Sequence, residues 1–196
     1  MHRYFILNKP YGYLSQFTDE GAYKGLNHLI KLPKDVYSAG RLDADSEGLL
    51  VFTNDTFLKN QMLEPRFAHI RTYVVQVEGE VDEVRLVKLS EGIEINIKGT
   101  LYKTIPAKIV QVLTNVPFEE RNPPVRFRKN IPTTWIELSL VEGKNRQVRK
   151  MTAAIGYPTL RLIRTSIENL TLDKMQSGQL IELSKESIYK KLNISL

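Results

Sequence analysis

The sequence predicts an α+β fold with a mixed, mostly antiparallel central sheet and flanking helices. Its 196 residues, 42% of them hydrophobic, suit one compact domain or two small lobes around a shared core. Strand-like and helix-like segments follow one another without the regular alternation that a doubly wound parallel sheet requires. Neither a repeat nor a linker is visible, so we predict a single domain over residues 1–196, with two lobes sharing one sheet.

The first elements are a strand and a short helix. Residues 4–8 form an apolar run that ends at a turn marked by Pro10 and Gly12. The following residues are rich in loop formers, except for a short apolar segment at 26–30. We predict a strand and one helical turn for these two segments.

Two further strands flank a polar loop. The apolar runs 36–39 and 49–52 are separated by the glycine-bounded stretch 40–48, which predicts strand, tight loop and strand. Asn54 or Asp55 can then cap a helix that ends before the next proline, because their side chains accept from free N–H groups of a first helical turn.

The middle of the chain predicts a half-buried strand and an amphipathic helix. Residues 72–78 alternate between apolar and polar side chains, the period of a strand. Residues 81–91 suit a helix, with Val84, Val87 and Leu89 on its apolar side. Short strands are predicted at 93–97 and 108–113.

The C-terminal part predicts strands around one helix. Residues 134–141 alternate as a strand. Residues 145–155 suit a helix that ends at Gly156, with a proline beyond it. The remaining predicted elements are strands at 159–163, 170–172 and 180–183 and a terminal helix at 185–192.

Positive charge is concentrated in one part of the chain. Residues 121–164 hold ten lysines and arginines against two glutamates, a charge of +8, whereas the whole chain carries +6. Residues 115–132, here called the basic loop, also contain four prolines, which predicts an irregular and flexible segment. Such a distribution favours binding of a polyanion such as nucleic acid. The alternative is a solvated surface that happens to be basic.

Composition excludes several other classes. The chain has no cysteine, so disulfides, thiolate metal sites and a cysteine nucleophile are excluded, and a reducing cytoplasm is expected. Its three histidines lack metal-motif spacing, so no metal is expected, and no glycine-rich nucleotide loop suggests a cofactor. No apolar run approaches the ~18 residues that a membrane span needs. We therefore expect no membrane association.

The polar stretch 40–48 presents an arginine and a carboxylate where the backbone turns. Arg41 and Asp43 are two positions apart and would share a face in extended backbone. Loops carried by a rigid sheet often hold catalytic residues. An aspartate in a turn can equally bond nearby backbone N–H groups, and Asp45 or Ser46 could fill that structural role.

The sixteen residues Gly40–Asp55 resemble the catalytic motif of a known enzyme family. They read GRLDADSEGLLVFTND, which is similar to the G-R-L-D signature of the pseudouridine synthases that modify ribosomal RNA. Most members have threonine at the position of Ser46. The resemblance implies the pseudouridine-synthase catalytic fold and isomerisation of uridine without metal or cofactor. It also implies that Asp43 is the essential carboxylate.

Four other segments resemble motifs of this family: residues 8–12, 71–73, 142–151 and 160–164. The resemblance implies that Tyr73 is the active-site tyrosine, that Arg149 pairs with the catalytic carboxylate and that Leu162 lines the base pocket. The chain departs from the family where Arg71 replaces lysine and where Glu168 replaces glycine. The second departure concerns the course of a turn.

The family chemistry requires a carboxylate that stays ionised in a closed pocket, as nucleophile or base at the sugar. Burial disfavours the charged form, and an adjacent guanidinium such as that of Arg149 opposes this effect. The target base must leave its stack, and Arg41 is placed to fill the gap beside Asp43. Tyr73 would stack on the flipped uracil.

The remaining predicted site residues would bind RNA, mostly through phosphates, which position a substrate without reading its sequence. They are Lys9, Arg41, Arg71, Lys144, Arg146, Lys150, Leu162, Arg164, Arg126 and Arg128. Residues 121–133 resemble family members that act on the large ribosomal subunit, which implies large-subunit (23S) ribosomal RNA as partner. These members lack an N-terminal S4-type RNA-binding module, so no S4 domain is expected, and a monomer is the default.

Two other functions are compatible with parts of the sequence. A non-catalytic RNA-binding or ribosome-assembly factor would need the basic stretch, but it would have no need of a buried carboxylate. A glycosidase-like hydrolase could use Asp43 and Asp45 as an acid–base pair, although alternate positions in one loop make the required separation difficult. The presence of Asp43, Tyr73 and Arg149 together favours the enzyme.

Overall fold

The computed structural model describes residues 1–126 and 128–195, so one position of the basic loop and the last residue of the predicted domain lie outside the described residues. The described chain divides into two compact units. Unit 1 comprises residues 1–69 and 163–196, and unit 2 comprises residues 70–162. That both lobes share one sheet stays a prediction.

The strands in chain order are β1 (Tyr4–Lys9), β2 (Tyr37–Ser38), β3 (Glu47–Thr53), β4 (Arg71–Glu78), β5 (Glu94–Ile97), β6 (Thr100–Lys103), β7 (Ile109–Leu113), β8 (Thr133–Leu140), β9 (Thr159–Ile167), β10 (Leu170–Thr171) and β11 (Leu180–Leu183). The α-helices are α1 (Thr56–Leu63), α2 (Glu83–Glu91), α3 (Gln147–Ala154) and α4 (Lys185–Lys191). Single 3-10 turns occupy Leu26–His28 and Pro65–Phe67. The mixed pairing of the strands, with helices, confirms the predicted α+β class.

Unit 1 is built on strand β1. This strand pairs in antiparallel fashion with β11 on one side and with β3 on the other. Strand β3 is buried along its whole length, because both of its faces are covered. It pairs with β2 in antiparallel and with β9 in parallel orientation. The apolar side chains of these strands and of the turn at Leu26–His28 form one core.

A buried carboxylate joins three elements of unit 1. Asp55 caps α1, since its Oδ1 accepts from the N–H groups of Phe57 and Leu58 at 3.0 and 3.1 Å. Its Oδ2 accepts from the hydroxyls of Tyr4 on β1 at 2.8 Å and Tyr189 on α4 at 2.6 Å. Of the two caps predicted from the sequence, the structure uses Asp55.

In the turn after β9, a glutamate adopts a backbone conformation that glycine usually adopts. Glu168 has φ +50°, the left-handed region that favours glycine. Its carboxylate lies 3.3 Å from Nδ1 of His69 and accepts from Nδ2 of Asn193 at 3.0 Å. These contacts stabilise the left-handed conformation of Glu168 without a glycine.

Unit 2 contains an antiparallel sheet and a separate hairpin. Strand β8 pairs with β4 on one side and with β7 on the other. Its even-numbered residues Ile136, Leu138 and Leu140 are buried, as the alternation predicted. Helix α3 buries Val148 and Met151 in the same core. It begins two residues later than the predicted start at 145.

One prediction for unit 2 was wrong in part, and one strand was not predicted. Of the predicted apolar side of α2, Leu89 is buried, but Val84 and Val87 are exposed, by 71% and 51%. Leu86, which was not predicted, is buried beside Leu89. The segment after β5 returns as the unpredicted strand β6, through a turn at which the Asn96 side chain accepts from the N–H of Gly99 at 2.8 Å.

The basic loop has no regular secondary structure in its described residues, which confirms that part of its prediction. Within the described part of the chain, no helix has the length and apolar character to cross a membrane.

Candidate active site

The loop that carries Asp43, residues 40–46, is held at several points; we call it the aspartate loop. The hydroxyl of Ser15 donates to the Leu42 carbonyl at 2.6 Å and accepts from the Leu42 N–H at 2.8 Å. The Asp43 carbonyl accepts from Ser46 N–H at 3.0 Å, which closes a tight turn, and the Ala44 carbonyl accepts from Gly12 N–H at 2.8 Å. The backbone of the aspartate loop is therefore fixed on both sides of Asp43.

Exposure differs along this loop. Arg41 is exposed, Leu42 is buried and Asp43 is half-buried. A half-buried carboxylate on a fixed backbone keeps access to a substrate while its position is restricted. The exposed guanidinium of Arg41 is available to a flipped-base gap or to a phosphate, and both roles stay predictions.

Lys9 does not lie at the surface. Its side chain is fully buried, and Nζ donates to the backbone carbonyls of Tyr13 at 2.6 Å and Pro10 at 3.1 Å. Burial lowers the pKa of Lys9 to about 8, although the negative charges of Glu47, Asp45 and Asp43 act in the opposite direction. The predicted phosphate contact does not agree with this position, because no part of the ammonium group reaches solvent. Lys9 instead ties the turn after β1 together.

Gly48 allows strands β3 and β9 to approach closely. It pairs with Arg164 in parallel register, and a Cβ at Gly48 would lie 2.7 Å from the Arg164 nitrogen and nearer still to its oxygen. Arg164 itself is buried, and its Nε donates to the Leu49 carbonyl at 2.8 Å. Its guanidinium thus stabilises the sheet of unit 1. Arg164 is therefore buried rather than at the surface, and its predicted role in RNA binding stays a prediction.

In unit 2, Tyr73 lies on β4 with 8% of its surface exposed. Its ring belongs to the core that also contains Leu138, Met151 and Leu162. Arg71, at the start of the same strand, is half-buried. The predicted tyrosine and the predicted pocket leucine therefore belong to one apolar cluster, and their roles toward a base stay predictions.

Helix α3 orders its residues by face. Val148 is buried, whereas Arg149 and Lys150 are half-buried. Lys144 and Arg146, in the loop that enters the helix, are exposed. Residues with a predicted role toward RNA or the carboxylate thus lie in this loop and in the first turn of the helix.

The arginines of the basic loop differ in their contacts. Arg126 is exposed. Arg128 forms an ion pair with Glu78 at 2.9 Å, with 45% and 24% of the two side chains exposed. Such an exposed pair contributes at most about 1 kcal/mol, so it does not prevent Arg128 from exchanging Glu78 for a phosphate. Over residues 1–126 and 128–195, no cluster of three or more potential metal ligands is found.

Comparison with known proteins decides the family. The family model described as RNA pseudouridylate synthase matches residues 3–154. The chain belongs to this family. It is therefore an isomerase that acts on RNA. The family predicted from the motif Gly40–Asp55 is confirmed.

Curated relatives extend over most of the chain. Ribosomal large subunit pseudouridine synthase E of Vibrio parahaemolyticus is 52% identical over 178 residues, which are 91% of this chain and 72% of the relative. The enzyme of the same name from Xanthomonas campestris is 45% identical and covers 89% of this chain and 91% of its own length. Ribosomal large subunit pseudouridine synthase B of Bacillus subtilis is 34% identical over 94% of this chain and 69% of the relative.

A solved structure supports the predicted fold. A crystal structure of a pseudouridylate synthase matches with a TM-score of 0.78 and 28% identity, over 98% of this chain and 74% of that chain. Human RNA pseudouridylate synthase domain containing 1 matches with a TM-score of 0.56 at 12% identity, which shows the fold alone. The pseudouridine-synthase fold class is confirmed.

Sequence reasoning missed Ser15. Its hydroxyl makes both hydrogen bonds to Leu42, but nothing in its local sequence distinguishes it from other serines in loops. Its partner is 27 positions away, and only the folded chain brings the two together.

Proposed function

We propose that this enzyme converts a uridine of large-subunit (23S) ribosomal RNA to pseudouridine, with Asp43 as the essential carboxylate. The observation that carries the proposal is the half-buried Asp43 on a backbone fixed by Ser15 and Gly12. A reaction at one carbon of a sugar or base requires a carboxylate that is held in place.

The reaction breaks the bond between uracil N1 and the ribose, turns the base and rejoins it through C5; C5 loses its proton and N1 gains one, so that the product is an isomer of the substrate. Asp43 acts at the nucleoside as nucleophile or base. Arg149 supplies the guanidinium that keeps the carboxylate ionised, a role carried over from the family motif. Tyr73 stacks on the flipped uracil, a role carried over from the family motif; its ring belongs to the same apolar core as Leu162.

The cations of unit 2 hold the RNA. Lys144, Arg146 and Arg126 are exposed, and Lys150 is half-buried, so their charges can reach phosphates. Arg128 joins them by leaving its exposed ion pair. Arg71, half-buried at the start of β4, and exposed Arg41 complete the set.

The named relatives support the large-subunit RNA as substrate. Enzymes at 45–52% identity carry that substrate in their names. The site within the RNA is read mainly from its shape and its exposed bases, because phosphate contacts are independent of sequence. We expect the enzyme to act as a monomer in the cytoplasm, on ribosomal RNA or on assembling particles.

The test is to incubate the protein with large-subunit ribosomal RNA transcript and with particles from cells that lack the protein. Pseudouridines are mapped by chemical adduct and primer-extension stop. Asp43→Asn is expected to lower the rate by at least about 1,000-fold while RNA affinity stays within about 3-fold, because charge at the reacting centre is removed and the phosphate contacts remain.

Asp45→Asn is the matched control, because it removes a carboxylate from the same loop and should retain the stop. Turnover by Asp43→Asn at the wild-type rate would contradict the proposal. Absence of any stop with the wild-type protein, on transcript and on particles alike, would instead favour a non-catalytic RNA-binding factor.

A further inference from the structure

We infer that Glu142 is a positioning residue: its hydrogen bonds hold the loop of residues 143–146 in a conformation that binds phosphate, although its own negative charge repels phosphate. The inference rests on the proposed function, since it concerns how the RNA is held. Glu142 lies between β8 and α3, in a stretch of the chain that carries a large positive excess. Its carboxylate accepts three hydrogen bonds from other groups of unit 2.

Three donors converge on this carboxylate. The Tyr102 hydroxyl on β6 donates to Oε2 at 2.5 Å. The Ile105 N–H donates to Oε1 at 2.8 Å, and Gln147 Nε2 donates to the same oxygen at 2.6 Å. Glu142 therefore connects the β5–β6 hairpin to the first residue of α3.

Gln147 passes this constraint to the loop. Its amide oxygen accepts from the Lys144 N–H at 2.9 Å, while its backbone N–H donates to the Lys144 carbonyl at 3.0 Å. Gln147 is buried although it is polar, because both ends of its amide are bonded. The loop is thus closed by the side chain of the residue that follows it.

The loop needs such a constraint, because its backbone is strained. Arg146 precedes α3 with φ +51°, the left-handed region that non-glycine residues rarely adopt, and it makes no side-chain cap bond. Strained residues persist when their surroundings fix them and are concentrated at functional sites. Here Glu142 and Gln147 provide the fixing contacts.

The loop in this conformation presents cationic and polar side chains at the surface. Lys144, Asn145 and Arg146 are all exposed. The Lys144 ammonium lies 5.0 Å from the centroid of the Tyr102 ring, so the tyrosine that donates to Glu142 also orients this lysine. A phosphate that binds here meets side chains that have already lost part of their freedom, which favours affinity.

Net charge alone predicts the opposite change in RNA affinity, so the inference can be tested. Removing a carboxylate from a basic surface should strengthen RNA binding if only net charge mattered. Removing Glu142 should weaken it if the carboxylate positions the loop. Glu142→Gln separates the two effects, since its amide oxygen can accept from Ile105 and Gln147 and its NH₂ can donate to the Tyr102 oxygen.

The experiment measures kcat and KM for pseudouridine formation on large-subunit RNA, with salt-dependent RNA affinity, for the full chain. Glu142→Ala is expected to raise KM about 10-fold with little change in kcat, as for loss of binding shared by ground and transition states. The salt slope of RNA affinity should fall by about 0.7 per lost single-strand phosphate contact. Glu142→Gln should keep KM at or below the wild-type value, and Tyr102→Phe should raise it less than Glu142→Ala does.

Glu137→Ala is the matched control, because it removes an exposed hydrogen-bonded carboxylate from the same basic stretch. It should leave kcat and KM unchanged. Thermal unfolding of each variant tests for a general loss of structure. Such a loss would reduce the fraction of folded, active enzyme, so it would lower the apparent kcat and leave KM unchanged.

Three results would overturn the inference: an unchanged KM in Glu142→Ala, a lower KM in Glu142→Ala, or a fall in kcat alone. Each of them presupposes an active wild-type enzyme. Absence of pseudouridine with the wild-type protein would overturn the proposed function instead, so the two failures are distinguishable.

Discussion

The aspartate loop of unit 1 and the basic loop of unit 2 are both irregular, but they are held in different ways. The aspartate loop is fixed by backbone hydrogen bonds to Gly12 and Ser15, and it leads into a fully buried strand. The basic loop has no regular element in its described residues. Arg128 in it pairs with Glu78 through an exposed side chain, and the half-buried Arg121 donates to carbonyls of its own loop, those of Pro123 and Pro124.

This difference matches the roles proposed above for the two loops. A carboxylate that reacts must be placed to within a fraction of an ångström, and backbone contacts provide such placement. A cation that meets a phosphate acts over several ångströms and tolerates movement. Changes in unit 1 near the aspartate loop should therefore lower stability or kcat, whereas changes in the basic loop should alter KM and salt dependence.

The largest expected effect comes from Gly48→Ala. The added Cβ would overlap the backbone of Arg164, which cannot move without separating β3 from β9. We expect a loss of about 3–5 kcal/mol in the free energy of unfolding, measured by urea denaturation.

Gly99→Ala is the control, because this glycine also has positive φ, at +89°, but a Cβ there would meet no atom within 4 Å. It should cost only about 1 kcal/mol from backbone strain. Equal losses in the two variants would show that the approach of the two strands is not what requires Gly48.

Asp55→Asn should have the next largest effect. The amide cannot accept all four hydrogen bonds that the carboxylate accepts, so we expect a loss of about 2–4 kcal/mol in unfolding free energy. Asp82→Asn is the matched control. It caps α2 through a single bond to Val84 at the surface, and asparagine caps nearly as well as aspartate.

The pH dependence of stability gives a second measurement for Asp55. Burial alone would raise its pKa, but the hydrogen bonds from Tyr189 and Tyr4 and from the Leu58 N–H lower it below its ordinary value of 3.8. Its contribution is therefore present above about pH 4 and is lost as the pH falls through the lower pKa of the folded state. In Asp55→Asn this part of the acid dependence should be absent; an unchanged acid profile would contradict the assignment.

Ser15→Ala should act on the aspartate loop more locally. It leaves the Leu42 N–H and carbonyl without their partner in a buried position, which costs about 1–3 kcal/mol. Because the loop backbone loosens beside Asp43, kcat should fall about 10-fold while KM changes little. Ser90→Ala, which removes an exposed bond to Val87, is the control. A Ser15→Ala enzyme with full kcat would show that the loop is fixed without this hydroxyl.

The smallest effect on stability is expected for the basic loop. Replacing Arg126, Arg128 and Lys129 together by glutamine should leave unfolding free energy within about 1 kcal/mol, because the one ion pair lost is exposed. RNA affinity should fall, with a flatter salt dependence, by about 0.7 slope units per single-strand contact. The same substitution of exposed Lys174, Lys185 and Lys190 in unit 1 controls for net charge. Equal slopes for the two triple variants would remove the basic loop from the interface.

Local sequence was sufficient for most elements and for the family, because the strands alternate and the motif around Asp43 is contiguous. Local sequence was insufficient to predict the buried face of a helix that has two apolar pairs with the same spacing. On α2, Val84 with Val87 and Leu86 with Leu89 are each three residues apart, so periodicity alone does not decide which pair faces inward. Only the neighbouring strands decide it.

The site residues show the same limit. From sequence alone, Lys9 is expected at the surface, because burial of an ammonium group is unfavourable unless the group is hydrogen-bonded. The carbonyls that make burial possible belong to the turn after β1. Glu142 lay within a recognised motif, yet its partner Tyr102 is 40 positions away, and no local pattern connects them.

The pairing of β3 with β9 also has a consequence for synthesis of the chain. Unit 2 is one continuous segment, whereas unit 1 joins residues 1–69 to residues 163–196. Arg164 bonds to Leu49 across 115 positions, so β3 cannot gain its parallel neighbour until the last part of the chain has left the ribosome. At roughly 5–20 residues per second, translation of these 115 positions takes about 6–23 seconds. Unit 2 can therefore mature before unit 1, which carries Asp43.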